Sequence, residues 1–479
     1  MVFGKCPECN QERSGYNWCK PCNSKHLQND FNNWTSGNEK IDKFIQDAQL
    51  NTNKYWEVIE WIPYDRFKDV KQIGKGGFGT IHYASWIDGF IGKWDIENQQ
   101  WKRQRNWDGE VGEVEVALKK FDNFVNFSDV LNEMEIHLKT WTSDASIRFY
   151  GITQDPETHL YMMVLEYAKD GNLREYLKIN FNNINWKQKL YNLYYLSSRL
   201  MGIHKLDIVH QDFHPGNILS DDFKYSFYMV ISDFGLSKLI GANPNNPEKK
   251  NIFGVLPYIA PEVLSGEEYT KASDVYSFGI IAYEIVTGFP PYPDIPHDRD
   301  LAMKICNGLR PKIPFHIPKL ITRMIMRCWD ARVTHRPTFE ELNYELRKYY
   351  IGYRDYLKEG TNSEIVLQIN KAEEFSANQN HSRGTEEFSA NQNHSRASIW
   401  KNIFHWRKES TNKTNSETAT LTPLNYKTHP QAIYTSRLLN FSKLPKPKNE
   451  ENFEKKLEEL TKSTSVSSAI ASKLYVPDF

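Results

Sequence analysis

The chain has 479 residues, of which 39% are hydrophobic and 25% charged, and its 60 basic side chains balance its 60 acidic ones. Zero net charge removes any general argument for a nucleic acid or an anionic membrane as the main partner. No apolar run approaches the ~18 residues of a membrane-spanning helix, and the first residues do not resemble a secretory signal, so the sequence predicts a cytoplasmic protein.

Four cysteines crowd into the first 22 residues as two C-x-x-C pairs separated by nine residues, Cys6 with Cys9 and Cys19 with Cys22. Four thiolates in a tetrahedral array suit a structural zinc ion with no open coordination position. We therefore predict a zinc-binding module over residues 1–30, with unliganded reduced thiols as the alternative. A module of this kind is expected to bind a protein or a nucleic acid, and the sequence, which carries no strong nucleic-acid signal, does not say which.

Residues 31–66 are polar and are predicted to form a linker. Within them, the stretch from Ile41 to Ala48 has apolar residues at positions i, i+3, i+4 and i+7. This spacing places the apolar side chains on one face and predicts a short amphipathic helix.

A glycine-rich stretch follows, with Gly74, Gly76 and Gly79 in the pattern G-x-G-x-x-G and Ile81 two residues later. Glycines let backbone N–H groups approach a triphosphate where side chains would clash. Dinucleotide-binding folds share this pattern, but there it leads into a helix. Here strand-like residues follow, which favours a hairpin that covers phosphates.

Lys119 ends the apolar run Val116-Ala117-Leu118 and is predicted to reach the α- and β-phosphates of the nucleotide. The Trp-rich insertion at 86–113 precedes it, and its role cannot be read from the sequence. The helical stretch 129–138 offers two acidic partners for Lys119. Glu133 is our choice and Glu135 the lesser candidate.

The apolar strand 161–165 runs into Glu166-Tyr167-Ala168 and a Gly-Asn turn. Backbone groups of Glu166 and Ala168 are predicted to bind the edge of adenine, with Leu165 closing the back of the pocket.

Three further motifs come in a fixed order. They are H-x-D-x-x-x-x-N from His210 to Asn217, the triplet Asp233-Phe234-Gly235, and the triplet Ala260-Pro261-Glu262. Together with the glycine loop and Lys119, this set resembles the eukaryotic protein kinase family over residues 67–350. The resemblance implies an α+β bilobal fold with a five-stranded N-lobe and a helical C-lobe.

The resemblance also implies the roles of site residues. Asp212 corresponds to the base that accepts the proton of the substrate hydroxyl, and Asn217 and Asp233 correspond to ligands of Mg²⁺ bound with ATP. Asp274 corresponds to a buried anchor of the catalytic loop, and Glu262 with Arg336 to a buried ion pair. The remaining nucleotide contacts are assigned to Ile73, Gly74, Gly76, Gly79, Ile81, Ala117 and Leu219.

The sequence departs from the family pattern in three ways. Gln211 replaces the arginine that often pairs with an activation-loop phosphate, and residues 238–257 contain no Ser, Thr or Tyr. We therefore predict activity that does not depend on phosphorylation of this loop. His214 and Val255 replace the Lys and Thr usual in Ser/Thr kinases, and neither the Ala-Ala-Arg pattern of tyrosine kinases nor their Trp before Ala-Pro-Glu is present. The domain therefore looks most similar to the tyrosine-kinase-like group, which Tyr150-Gly151 and Cys328-Trp329-Asp330 also resemble, and Ser/Thr is favoured over Tyr.

Two other functions stay open at this point. The run from His210 to Asn217 also resembles small-molecule phosphotransferases of kinase fold, although these lack the Ala-Pro-Glu triplet and the Ser273–Gly279 motif. A pseudokinase scaffold that binds ATP without transferring phosphate is the other alternative. The presence of Lys119, Asp212, Asn217 and Asp233 ranks an active protein kinase above it.

The tail, residues 351–479, is rich in Asn, Ser, Thr and Lys and is predicted to be mostly disordered. Residues 373–383 recur at 386–396, which suits slippage in a linker. The more apolar stretch 432–441 is a candidate docking peptide. The whole arrangement, from the cysteine pairs to this stretch, resembles a kinase-domain family expanded in mycorrhizal fungi.

Overall fold

The described residues form two lobes, and the smaller is built on a mainly antiparallel sheet. The computed structural model describes residues 3–76, 79–105, 110, 112–121, 127–141, 145–225, 229–239, 252–375, 428–441 and 443–462. Elements of the smaller lobe are α1 (Lys20–Asp30), α2 (Glu39–Asn51), β1 (Glu60–Trp61), β2 (Phe67–Lys75), β3 (Gly79–Trp86), β4 (Phe90–Asp95), β5 (Gln100–Gln104), β6 (Val114–Phe121), α3 (Phe127–Trp141), β7 (Phe149–Gln154) and β8 (Tyr161–Glu166).

The sheet has the order β1-β7-β8-β6-β3-β2. Five longer strands, the number predicted, pair antiparallel, and β1 adds a sixth strand by pairing parallel with β7. Val114, Val116 and Leu118 of β6 are buried at alternate positions, because successive side chains of a strand point to opposite faces. This alternation fixes the register that brings Lys119 opposite Ile81.

Residues expected to form a linker instead extend the core of the smaller lobe. Helix α2 begins after Asn38, whose side chain accepts a hydrogen bond from the Lys40 amide. Ile41 and Ile45 are fully buried and pack in the same cluster as Met134 of α3. The predicted amphipathic helix is therefore present, and its apolar face is covered by the lobe.

The Trp-rich insertion forms the hairpin β4–β5 and packs on the cysteine-rich segment. Trp18 is completely buried and its ring stacks on Trp101 with centroids 5.9 Å apart. Trp94 stacks on His26 at 4.0 Å. These aromatic contacts connect the first 30 residues to the lobe, which gives the insertion a structural role that the sequence alone did not show.

The larger lobe is helical. Its elements are α4 (Leu173–Asn180), α5 (Trp186–Lys205), β9 (Ile208–Val209), β10 (Ile218–Leu219), β11 (Val230–Ile231), β12 (Lys238–Leu239), β13 (Ile252–Gly254), α6 (Pro261–Leu264), α7 (Lys271–Thr287), α8 (Arg299–Cys306), α9 (Lys319–Cys328), α10 (Phe339–Glu359) and β14 (Arg437–Leu439). Among the helices that the structure describes, none is long and apolar enough to cross a membrane.

Helix α7 forms the centre of this lobe. Every residue from Ser273 to Thr287 is buried, so the rest of the lobe encloses this mostly apolar helix on all sides. A capping box between Thr270 and Ser273 starts the helix, and Gly288 ends it with a φ of 76° in the left-handed region. The helix thereby holds Asp274 at a fixed place below the loop that begins at His210.

The region beyond residue 350 differs from the predicted disordered tail wherever it is described. Helix α10 continues to Glu359, and a further helix at 364–375 buries Ile365 and Ile369 in the core of the larger lobe. The stretches 428–441 and 443–462 also pack there and bury Leu439 and Phe453, respectively. Apolar side chains spaced along a polar sequence are sufficient for docking on a lobe that is already folded. Most of the repeat lies outside the described residues.

Candidate active site

Lys119 lies at the centre of a buried charge cluster between the lobes. Its Nζ donates to the Glu133 carboxylate and, at 2.7 Å, to Asp233 Oδ1. Lys119 and Glu133 are 5% and 2% exposed. Glu135, the other glutamate considered, lies on the exposed side of α3 and pairs with Lys139 at 2.6 Å. The structure thus brings Lys119, Glu133 and Asp233 together and leaves Glu135 outside.

The charges in this cluster shift one another's pKa. Burial would lower the pKa of Lys119, but the carboxylates of Asp233 and Glu133 raise it above its ordinary value. Burial would raise the pKa of Asp233, yet Lys119 keeps it below its ordinary value. Burial raises the pKa of Glu133 because the charge of Lys119 offsets only part of the desolvation. Lys119 and Asp233 are therefore held in their charged forms at neutral pH.

The loop from His210 to Asn217 is fixed from below by Asp274. The amides of His210 and Gln211 donate to its two carboxylate oxygens at 2.9 and 3.2 Å, and His204 Nε2 donates to it at 2.9 Å. Gln211 adopts the left-handed φ of 69°, which these bonds hold in place. The anchor expected for Asp274 is present.

Asp212 and Asn217 sit on this loop and are connected to each other. Asn217 Nδ2 donates to the Asp212 carbonyl at 2.9 Å, and the Asn217 carbonyl accepts from the Ser232 amide, also at 2.9 Å. Asp233 follows Ser232 with a φ of 63°. Phe234 behind it is fully buried against His210, with ring centroids 5.0 Å apart. The loop and the Asp-Phe-Gly triplet therefore form one hydrogen-bonded unit.

The residues predicted to contact the nucleotide lie on the strands above this unit. Ala117 of β6 pairs with Tyr83 of β3 on one side and with Leu165 of β8 on the other. Ile73 is 47% exposed near the end of β2, and Leu219 forms a bridge with Asn172.

Gly79 cannot be replaced without disturbing the sheet, because a Cβ there would lie 2.0 Å from the Lys120 carbonyl. Among the described residues, a Cβ on Gly74 or Gly76 would meet nothing closer than 3.8 Å. The described protein atoms therefore leave space beside both glycines, through which a ligand could approach the backbone closely. The Gly76 amide bonds the Gly79 carbonyl at 2.8 Å and closes the turn. Gly77 and Phe78 lie outside the described residues.

Backbone groups of the strand that connects the lobes are partly engaged. The Glu166 amide donates to the Arg148 carbonyl at 3.0 Å, and the Gly171 amide donates to the Ala168 carbonyl at 3.0 Å. Each of the two residues predicted to bind adenine thus uses one backbone group within the protein.

Comparison with known proteins decides the family. Residues 67–346 match the family model described as protein tyrosine and serine/threonine kinase. This match covers more than half of the chain. The chain belongs to the protein kinase family.

Individual relatives of this kinase are distant. It is 27% identical over 278 residues to the tyrosine-protein kinase SPK-1 of Girardia tigrina, covering 56% of this chain and 50% of that protein. It is 30% identical over 217 residues to a protein kinase and PP2C-like domain-containing protein of Arabidopsis thaliana, covering 39% and 32%. A Dictyostelium discoideum protein named for serine/threonine kinase activity, gdt8, is 29% identical over 282 residues, covering 58% and 20%. The chain spans half or less of the length of these relatives.

In this kinase the ion pair expected in the larger lobe is present. Arg336 Nη1 and Nη2 donate to the two carboxylate oxygens of Glu262, each at 2.7 Å. Arg336 also donates to the carbonyls of Asp330 and Ala272. The pair joins the Ala-Pro-Glu triplet to the segment before α10.

The kinase site contains one residue that the sequence analysis did not assign. Ser436, on the stretch regarded only as a candidate docking peptide, donates its hydroxyl to Asp212 Oδ2 at 2.5 Å. His214, which stands where Ser/Thr kinases carry lysine, contacts the same hydroxyl at 3.0 Å. No local motif marks Ser436; the apolar character of 432–441 was the available signal.

The four cysteines of the N-terminal segment converge. Their Sγ atoms lie within 4.8 Å of one another, with 3.8 Å between Cys6 and Cys22 and 3.6 Å between Cys9 and Cys19. Zn–S bonds of about 2.3 Å in tetrahedral geometry place sulfurs about 3.8 Å apart. The arrangement therefore has the donor type and the dimensions that a structural metal ion requires.

Proposed function

We propose that this chain is an active protein kinase that transfers the γ-phosphate of ATP to protein hydroxyls, with Ser/Thr favoured over Tyr. The observation that carries the proposal is the contact of Lys119 with both Glu133 and Asp233. Phosphoryl transfer depends on positioning and charge stabilisation, and this contact sets the phosphate-binding lysine and the metal-binding carboxylate in one place.

The roles follow from the donor atoms. Lys119 would hold the α- and β-phosphates, and Asp212 would accept the proton of the attacking hydroxyl. Asn217 and Asp233 would hold Mg²⁺, which suits their oxygen atoms and supplies charge neutralisation at the phosphates when bound. The bond from Asn217 Nδ2 to the Asp212 carbonyl turns the amide so that Oδ1 is its remaining ligand atom.

Adenine would lie between Ala117 and Leu219, bound by the Glu166 carbonyl and the Ala168 amide. These are the backbone groups of the two residues that the internal bonds to Arg148 and Gly171 do not use. Ile73 and Ile81 would cover the ring and ribose, and Leu165 would close the back of the pocket.

Two observations support activity without phosphorylation of the activation segment. The Gln211 side chain offers no cation for a phosphate, and the Gln211 backbone N–H already donates to the Asp274 carboxylate. Ser237, the hydroxyl residue at the start of the segment, is 2% exposed and donates to the His210 carbonyl at 3.0 Å. The stretch 240–251 lies outside the described residues.

We also propose a preference for Ser/Thr and a place for the chain in the tyrosine-kinase-like group. The named relatives include both serine/threonine and tyrosine kinases. The contact of Ser436 with Asp212 supports a short acceptor, because a serine side chain already spans the distance from a docked backbone to the base.

A structural zinc ion is proposed for Cys6, Cys9, Cys19 and Cys22. Its role would be to hold the turns of residues 3–30 so that Trp18 and His26 stay packed on the β4–β5 hairpin. The module and the tail would also offer surfaces for a protein partner.

Purified kinase should be incubated with radiolabelled ATP, Mg²⁺ and myelin basic protein, beside the Asp212→Ala variant. We expect label on protein with the wild type and none with the variant, and phosphoamino-acid analysis should find phosphoserine or phosphothreonine. ATP binding without transfer would favour the pseudokinase scaffold. Label confined to small molecules would favour a phosphotransferase of another kind.

A further inference from the structure

The stretch 428–441 lies across the larger lobe next to the catalytic loop. Its strand β14 pairs antiparallel with β13, with Gly254 opposite Arg437 and Ile252 opposite Leu439. Strand β13 belongs to the segment between the Asp-Phe-Gly and Ala-Pro-Glu triplets. Addition of a strand is a common mode of peptide recognition, because main-chain bonds give affinity and side-chain pockets give specificity.

Side chains fix the position of this stretch on both sides of Ser436. The Tyr434 ring lies over the Arg174 guanidinium at 4.6 Å, and its hydroxyl donates to the Pro291 carbonyl at 2.8 Å. Arg437 donates to the His297 carbonyl, and Leu439 is buried. Ser436 is thus held between two anchored neighbours.

The hydrogen bonds at Ser436 define the group to which its hydroxyl proton is donated. His214 Nδ1 accepts from the Gly216 amide at 3.0 Å, so in the neutral ring the proton is on Nε2. Nε2 then donates to Ser436 Oγ at 3.0 Å, and the Ser436 hydroxyl must donate to Asp212 Oδ2 at 2.5 Å. An acceptor hydroxyl directed at the base is the arrangement that proton removal requires.

Neighbouring hydroxyls are not placed in this way. Thr435 is exposed, and the Tyr434 hydroxyl is directed at Pro291. Of these three consecutive hydroxyl residues, Ser436 is the one bonded to Asp212.

A second anchor follows in the chain. Asn449 Oδ1 accepts from the Ala331 amide at 2.7 Å and its Nδ2 donates to Asp330 at 2.8 Å, while Phe453 is 2% exposed. Because the stretch is attached to the kinase and held at two places, Ser436 is presented at a high effective concentration.

We propose that Ser436 is the acceptor of an intramolecular phosphoryl transfer, an inference that rests on the proposed kinase function. Ser436 Oγ forms a bond to the γ-phosphorus of ATP as the bond from that phosphorus to the β,γ-bridging oxygen breaks. The electron pair of the broken bond leaves with ADP, and the hydroxyl proton goes to Asp212. His214 is a positioning residue in this step, because it acts by holding Oγ.

The test uses the full chain, treated with phosphatase and then incubated with radiolabelled ATP and Mg²⁺ over a range of protein concentrations. Peptide mapping should locate phosphate on Ser436, with a rate constant that does not change with protein concentration. Ser436→Ala should lose this label and Ser436→Thr should keep it. Thr435→Ala is the matched control and should be labelled as the wild type is.

Three outcomes would overturn the proposal, and myelin basic protein assayed in parallel separates them. Label on that protein with Ser436 unmodified would leave the kinase function standing and make the stretch a blocking segment instead. A rate constant that rises in proportion to protein concentration would show transfer between two copies. Absence of label on both, with ATP bound, would remove the kinase function and this inference together.

Discussion

Glu133 and Lys119 form a buried ion pair that joins helix α3 to strand β6. Glu135, two positions further along the same helix, is exposed and pairs with Lys139 instead. This difference provides a matched pair of substitutions. Glu133→Gln should lower kcat by at least about a hundredfold, because Lys119 loses the charge that holds it and small misplacements cost that much. Glu135→Gln should stay close to wild type.

Steady-state kinetics on myelin basic protein, with melting temperatures measured for both variants, checks this prediction. Equal losses of kcat in the two variants would mean that any loss of negative charge on α3 lowers activity. The contact of Glu133 with Lys119 would then have no special role.

Activity should not require phosphate between residues 237 and 257. Ser237 is buried and bonded to the His210 carbonyl, and Gln211 replaces the arginine that would bind a phosphate. Peptide mapping of active enzyme should find this stretch unmodified. The mapping is repeated with the Ser436→Ala variant, so that phosphate on Ser436 of the tail cannot account for the activity. A stoichiometric phosphate in the stretch, whose removal lowers activity, would contradict the prediction.

The pair of Arg336 and Glu262 should support the larger lobe. Arg336→Ala leaves the Glu262 carboxylate buried and without its main partner, which typically costs about 3–5 kcal/mol. Urea unfolding should therefore show a large drop in the midpoint. Arg354→Ala, which breaks an exposed pair with Asp355, is the control and should change the midpoint little. Similar drops in both would argue against a special role of the buried pair.

His137 should make the kinase acid-sensitive. The ring is fully buried in α3, both nitrogens lack a hydrogen-bond partner in the described structure, and Nε2 is 3.8 Å from Glu133. Burial, followed by the charge of Lys119, lowers the pKa of His137 from 6.5 to about 3. The unfolded chain therefore binds a proton between those pH values that the folded chain does not. Stability should fall as pH drops through this window, by up to about 1.4 kcal/mol per pH unit from this group.

The measurement is the free energy of unfolding at pH 7.0, 6.0 and 5.0 for the wild type and two variants. His137→Phe should flatten the dependence, because phenylalanine can keep the edge contact with Phe234 and takes up no proton. His335→Gln, at an exposed position, should keep the wild-type slope. Parallel slopes in all three proteins would assign the acid sensitivity to other groups.

Short motifs made much of the candidate site predictable from sequence. Lys119, Asp212 and Asp233 each lie in a short motif through which the chain resembles the protein kinase family. The choice between Glu133 and Glu135 needed coordinates, because the two positions differ only in the face of α3 that they occupy. Ser436 lies 224 residues from Asp212, and no local pattern encodes a contact at that separation. No local pattern predicts the packing of Trp101 on Trp18 either, because it depends on how the Trp-rich insertion folds onto the N-terminal segment.

The cysteine cluster should hold one zinc ion that stabilises the smaller lobe. Cys22→Ser removes one of four thiolates and should abolish stoichiometric zinc, measured by atomic absorption, and lower the melting temperature. His26→Gln is the matched control. His26 lies beside the cluster, but its Nε2 bonds Glu8 at 2.8 Å, so zinc should be retained.

Buried Trp18 supplies a second readout for the same prediction. Its ring lies within the cysteine-rich module that zinc would hold, and it stacks on Trp101 of β5. A strong chelator should therefore shift the tryptophan emission to the red, and added zinc should restore it, because release of the ion frees the turns that keep Trp18 from water. Zinc-free protein with unchanged emission and melting temperature would show that the four thiols pack without a metal ion.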